Sequence, residues 1–199
     1  MKDDATLYDW EPLDPGRLSR LLAGFRPPWW IAGGRALDLW LGRETRLHKD
    51  LDIAVLRTDQ QELYRFFGGW ELRFATAAGD LEPWAGERLE LHVHGIWVRR
   101  SQDAPWLCEF LLNESEDGRW VYRRDPAVTY PLDRVGTRRG GELPFLAPEI
   151  VLLYKAKAPT AADEADFALA RPLLEPAGRD WLRSAIAQAH PGHRWLQTL

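Results

Sequence analysis

A short apolar run ending in two glycines, Trp29-Trp30-Ile31-Ala32-Gly33-Gly34, leads into a helical pattern with apolar Ala36, Leu37, Trp40 and Leu41. No other feature constrains this chain as much. It predicts a buried strand over Trp29–Ala32, a tight turn at the glycines and a helix over Gly34–Leu41. A second strand is expected over Leu51–Leu56, entered through Asp50-Leu51-Asp52-Ile53-Ala54-Val55. Side chains two apart on a strand point to one face, so Asp50 and Asp52 should converge while Leu51 and Ile53 turn to the core. Adjacent carboxylates repel each other. They coexist most easily around a divalent cation, and one or two carboxylates beside substrate phosphates is how Mg²⁺ is commonly held.

Glycines at a strand-to-helix junction let the backbone approach a phosphate closely, with amide N–H groups and the helix N-terminus favouring its negative charge. Gly33 and Gly34 occupy such a junction. A two-metal site also wants a third carboxylate from a neighbouring strand, and the best candidate is Glu109. It interrupts the apolar run Trp106-Leu107-Cys108-Glu109-Phe110-Leu111-Leu112, where an ionised side chain needs a partner or a metal. It can reach Asp50 and Asp52 only if the two strands are neighbours in the right register; a buried ion pair with an arginine is the alternative.

The stretch from Trp29 through Gly33-Gly34-Arg35-Ala36-Leu37-Asp38, continued by Thr45-Arg46-Leu47-His48-Lys49-Asp50-Leu51-Asp52, resembles the aminoglycoside adenylyltransferase-like branch of the polymerase-beta-type nucleotidyltransferase superfamily. Leu146-Ala147-Pro148-Glu149 through Lys155-Ala156-Lys157 is similar to the same branch more loosely. The resemblance implies an α+β fold, with a nucleotidyltransferase-type mixed β-sheet flanked by helices and a small C-terminal helical bundle. It also implies transfer of a nucleotidyl group, AMP from ATP or another NMP from its NTP, to a hydroxyl acceptor such as an aminoglycoside-like small molecule. Asp50, Asp52 and Glu109 would be the catalytic metal ligands of a two-Mg²⁺ site, with Glu109 also able to act as general base. Arg46, by family position, and Lys155, by likeness to the wider superfamily, would contact phosphate, together with Gly33 and Gly34. Asp163 and Asp166 resemble an Asp-x-x-Asp element of related helical domains, but Ala161 and Ala162 stand where relatives carry a basic residue, which leaves the role of that pair open.

Composition narrows the partners. A formal net charge of -4 argues against a mainly electrostatic grip on nucleic acid and suits a cationic small acceptor. The single cysteine, Cys108, excludes an intrachain disulfide and a multi-thiolate zinc site, and fits a reducing cytoplasm. Neither a signal-peptide pattern in Met1–Thr6 nor a membrane-length apolar run is present. Eleven tryptophans serve cores and stacking surfaces equally well. A homodimer, as in several relatives, is left open.

Along the chain, Asp14-Pro15-Gly16 opens a helix ending near Gly24, Asp59–Phe67 forms another, and Trp70–Ala75, His92–Arg99 and Trp106–Asn113 are expected strands. Beyond Gly140-Gly141 the pattern turns helical: Pro148 to about Lys157, Ala162–Leu174 and Asp180–Ala189. The expected division is therefore a sheet domain over 1–140 and a helical domain over 141–199. His92 and His94 share a strand face, with exposed histidines the simpler reading. His190 and His193 flank a turn, and Glu114, Glu116 and Asp117 are loop carboxylates that could face an acceptor. Nucleophile-elbow, phosphate-loop and dinucleotide fingerprints are absent. Two rivals remain beside the small-molecule reading: a protein-adenylylating or toxin–antitoxin-type nucleotidyltransferase, and an inactive nucleotide-binding module of the same fold.

Overall fold

The computed structural model describes residues 9–138 and 143–199. Both Met1–Thr6 and the Gly140-Gly141 boundary expected from the sequence lie outside the described residues. The chain packs as two compact units, one formed by residues up to Trp30 with Leu47–Asn113, the other by Ile31–Arg46 with Glu114–Leu199. This is a different cut from a division at 140, because the glycine turn and its helix join the C-terminal helices.

In the first unit, helix α1 (Pro15–Leu21) starts where Asp14 accepts the Arg17 amide and proline fills the first turn. The chain returns after Arg46 to form β2 (Asp52–Leu56), α3 (Gln60–Phe66), β3 (Glu71–Ala75), β4 (Leu81–Pro83), β5 (Gly95–Arg99) and β6, which begins at Cys108 and ends at Glu116 in the second unit. The strand order is β4-β3-β5-β6-β2, antiparallel except for the parallel β6/β2 pair. Ile53, Ala54, Val55 and Leu56 are all buried, the continuous apolar run expected of a strand covered on both faces. Leu63 and Phe67 from the α3 segment pack beneath, Phe67 meeting Phe110 edge to face at 5.4 Å.

In the second unit, Ile31, the last residue of β1 (Trp29–Ile31), pairs in parallel with Phe145 of β10 (Phe145–Leu146), which runs antiparallel to β9 (Gly136–Thr137). The end of β6 forms a meander with β7 (Arg119–Val121) and β8 (Thr129–Pro131). Its first turn is Asp117-Gly118, both with positive φ, the two-residue hairpin geometry that favours Asp-Gly. Glu114 and Glu116 therefore lie on a strand and only Asp117 in a loop, which corrects the expectation of three loop carboxylates. Helix α2 (Gly33–Leu41) packs against α4 (Pro148–Lys155) and α5 (Ala161–Ala170), and α4 packs against α6 (Pro176–Ala189). Ile150, Val151, Leu152 and Leu153 are all buried, so α4 is the centre of this helical layer. Phe167 and Trp195 stack with centroids 4.0 Å apart.

The architecture is a mixed sheet with flanking helices and a C-terminal helical group. Trp84, Trp106, Trp120 and Trp195 are buried, and the most exposed large apolar residues are leucines, so much of the tryptophan excess fills cores. No helix of the described residues is long and apolar enough to cross a membrane.

Candidate active site

In the first unit the parallel register sets Asp52 opposite Glu109, and the Glu109 amide donates to the Leu51 carbonyl at 2.9 Å. Laterally paired residues project to the same side of a sheet, so the two carboxylates are neighbours. The ladder begins at Asp52, so Asp50 precedes the strand and is exposed, while Asp52 and Glu109 are half-buried. Burial, reinforced by the Asp52 charge, pushes the Glu109 carboxyl up to about 8, against a hydrogen bond from the Trp97 side chain; Asp50 adds a smaller push in the same direction as Asp52.

Among the described residues no group of three His, Cys, Asp or Glu side chains is placed so that it could hold a metal ion. What the register brings together is a pair of carboxylates, Asp52 and Glu109, whose mutual repulsion a hard divalent cation would relieve.

That repulsion has a sign in stability. Folding raises the Glu109 proton affinity, so at intermediate pH the native state binds a proton that the unfolded state has released. Stability of the metal-free chain is expected to fall as pH rises from about 4.5 through about 8, and Glu109→Gln should flatten this part of the profile. Urea midpoints across that range check it; equal slopes for wild type and variant would assign the dependence to another group.

The glycine turn belongs to the second unit. Gly33 has φ 60°, a left-handed conformation that costs an L-residue roughly 1–2 kcal/mol, and it already starts α2, one residue earlier than expected. Ala32 offers no side-chain cap, so the amides of this first turn depend on other partners, as at an anion site. At the far end, Gly42 in the left-handed region closes the helix, its amide and that of Arg43 both reaching the Asp38 carbonyl. Asp38, buried on the same helix, accepts from the Thr45 amide at 3.1 Å and the Thr45 hydroxyl at 2.5 Å. This anchors the loop that carries Arg46. The sequence reading assigned Asp38 no role, although an aspartate among Ala36, Leu37 and Leu41 was a usable signal.

Arg46 and Lys155 meet on one carboxylate. The Arg46 guanidinium lies along Asp166, Nε to Oδ1 at 3.4 Å and Nη2 to Oδ2 at 3.3 Å, and Lys155 Nζ lies 2.9 Å from Asp166 Oδ2 and 2.6 Å from Asp163 Oδ1. Asp163 also completes a capping box with Thr160 at the start of α5. Asp163 and Asp166 thus share a helix face, as their spacing implied, and both engage Lys155. Lys157 lies beyond α4 and is exposed.

Other expectations change. His92 and His94 precede β5 rather than sharing a strand face, because the ladder opens only at Gly95. His190 closes α6 and His193 caps the following turn by accepting the Trp195 amide, so both serve the C-terminal turn. Two residues next to Glu109 escaped the sequence reading: Trp97, directly opposite it, and Gly95. A glycine inside an apolar strand pattern was the only available signal.

This is a nucleotidyltransferase fold. Solved structures similar to it include the lincosamide antibiotic adenylyltransferase LnuA bound to lincomycin, at 15% identity over 89% of this chain and 99% of that one, with a TM-score of 0.51. The antibiotic-resistance factor ANT(2'')-Ia is similar in its solution structure, at 20% identity over 85% and 86% of the two chains and a TM-score of 0.55. It is also similar in its crystal complex with adenylyl-2''-tobramycin, at 18% identity over 87% and 94%, again with a TM-score of 0.55. In sequence, residues 17–78 match the aminoglycoside-2''-adenylyltransferase family; no curated protein matches the chain. The resemblance to the antibiotic adenylyltransferases thus holds in the segment carrying Gly33, Gly34, Arg46, Asp50 and Asp52, and in the fold as a whole.

Proposed function

We propose that this chain is a Mg²⁺-dependent nucleotidyltransferase that moves AMP from ATP to a hydroxyl of an aminoglycoside-like antibiotic, in the cytoplasm. The observation that carries the reading is the register of Asp52 against Glu109, which joins a strand inside the family-matched segment to one outside it. Asp50, Asp52 and Glu109 would hold the metal ions, which when bound neutralise charge on the nucleotide phosphates and favour ionisation of the acceptor hydroxyl. Glu109 would accept the proton of that hydroxyl. The acceptor oxygen bonds to the α-phosphorus, the bond from that phosphorus to the bridging oxygen of the leaving group breaks, and pyrophosphate departs with the electron pair. By the resemblance, the amides at Gly33 and Gly34, with Arg46 and Lys155, would stabilise polyphosphate charge.

The relatives support a hydroxylated small-molecule acceptor, since the solved neighbours carry lincomycin or an adenylylated tobramycin, and the acidic balance of this chain favours a polyamine among them. The test is pyrophosphate release with Mg²⁺, each of the four NTPs and a panel of aminoglycosides and lincosamides. Release that requires both ATP and one antibiotic class is expected. Release with a protein acceptor instead would move the reading to protein adenylylation, and ATP binding without any transfer would move it to an inactive nucleotide-binding module.

A further inference from the structure

Glu109 lies over bare backbone. A Cβ placed on Gly95 would stand 2.0 Å from Glu109 Oε1 and 3.2 Å from its Cδ, and at the first of these distances the carboxylate must move away. Gly95 does not adopt the left-handed backbone that would itself call for glycine, so what requires glycine here is space. The need is local: Gly95 pairs with Leu111 and Trp97 with Glu109, which sets the carboxylate diagonally across the start of β5. The Trp97 side chain donates a hydrogen bond to that carboxylate. Its ring is itself wedged edge-on between Trp10, at 4.6 Å, and Trp106, at 5.5 Å, so the donor is held in place by packing.

We propose that Gly95 and Trp97 are positioning residues for Glu109, and that glycine at 95 and glutamate at 109 form a matched pair. The extra methylene of glutamate, compared with aspartate, carries the carboxylate into the gap left by the missing Cβ; a shorter side chain would stop before it. The assignment of Glu109 to the reaction rests on the proposed function, but the matched pair is a statement about side-chain placement and can be tested without it.

The experiment is a double-mutant cycle of Gly95→Ala with Glu109→Asp, joined by a crystal structure of Gly95→Ala and by Mn²⁺ affinity from electron paramagnetic resonance. In the Glu109 background, Gly95→Ala is expected to displace the carboxylate by about 1 Å and to reduce turnover roughly 100-fold, the usual consequence of such a misplacement. It should also weaken Mn²⁺ binding while leaving the urea midpoint close to wild type. In the Glu109→Asp background the same alanine should have almost no further effect, because the shortened carboxylate no longer meets it; the two substitutions are strongly non-additive. Trp97→Phe, which keeps an aromatic side chain between Trp10 and Trp106 and removes the indole N–H, should lower turnover without loss of folding. An unmoved Glu109 in the Gly95→Ala crystal, or an equal loss from alanine in both backgrounds, would overturn the matched pair. A wild type that transfers no nucleotide would instead count against the proposed function, and the crystal structure would still decide the pair.

Discussion

Asp52→Asn is expected to reduce nucleotidyl transfer by on the order of 10³-fold or more, about 4 kcal/mol of barrier, while the chain remains folded. Asp52 opens β2 directly opposite Glu109, and its side chain is half-buried, so the isosteric amide keeps the packing and the strand register. What is lost is an anionic oxygen ligand and its share of the metal-binding charge. A second effect has the opposite sense. After burial, the Asp52 charge is the larger of the two that raise the Glu109 proton affinity, so in the variant Glu109 should ionise closer to the ordinary carboxylate range. The fall in stability of the metal-free chain towards pH 8 should then shrink. Turnover with saturating ATP and acceptor, together with far-UV circular dichroism and urea midpoints at about pH 5 and about pH 8, reads all three. Unchanged turnover would remove Asp52 from the reacting centre.

Lys155→Met should strongly destabilise the second unit. Lys155 is the common partner of Asp163 and Asp166, and the three side chains retain only 12%, 17% and 4% of their solvent exposure. Burial works against ionisation of Asp163, but the Lys155 hydrogen bond and the Thr160 amide and hydroxyl outweigh it and hold the carboxyl below its usual value. Such a depressed carboxyl stabilises the fold above the unfolded value and loses that contribution as pH falls through the folded one. Removing the ammonium leaves Asp163 to its capping box and Asp166 to Arg46 alone, and breaking a buried ion pair from one side costs about 3 kcal/mol or more. Urea unfolding at neutral pH should show this loss, and adding Asp163→Asn should restore part of it, since the repulsion between the stranded carboxylates is then relieved. The same variant should raise the KM for ATP more than that for the acceptor if Lys155 meets the polyphosphate as proposed. A urea midpoint within about 0.5 kcal/mol of wild type would mean that the network contributes no more than a solvated surface pair.

The elements legible in the sequence are those whose signals lie within one turn or one strand. Asp14-Pro15 marked the start of α1, Pro148 that of α4, and the apolar positions within Gly34–Leu41 defined α2 to within a residue. Strands β4, β7, β8, β9 and β10 were missed because two or three residues are too few to show an alternation. β6 was recognised from its apolar run, but its continuation through Glu114 to Glu116 was not, since polar residues carry no pattern of burial and the extension is held by pairing with β7.

The candidate site divides in the same way. The Gly-Gly turn, the Thr-Arg-x-His segment and the two aspartates are contiguous in sequence, and their spacing by itself determined a strand, a turn, a helix and a second strand, because backbone geometry over a few residues needs no distant partner; the structure starts that second strand at Asp52 and leaves Asp50 before it. Only the tertiary structure decided that Glu109 lies opposite Asp52, that Gly95 makes room for it, and that Arg46 and Lys155 converge on Asp166. The reason is physical: strand register, the space left by an absent Cβ and the partner of a buried charge are set by contacts between residues far apart in the chain, and local periodicity carries no information about which of them will meet.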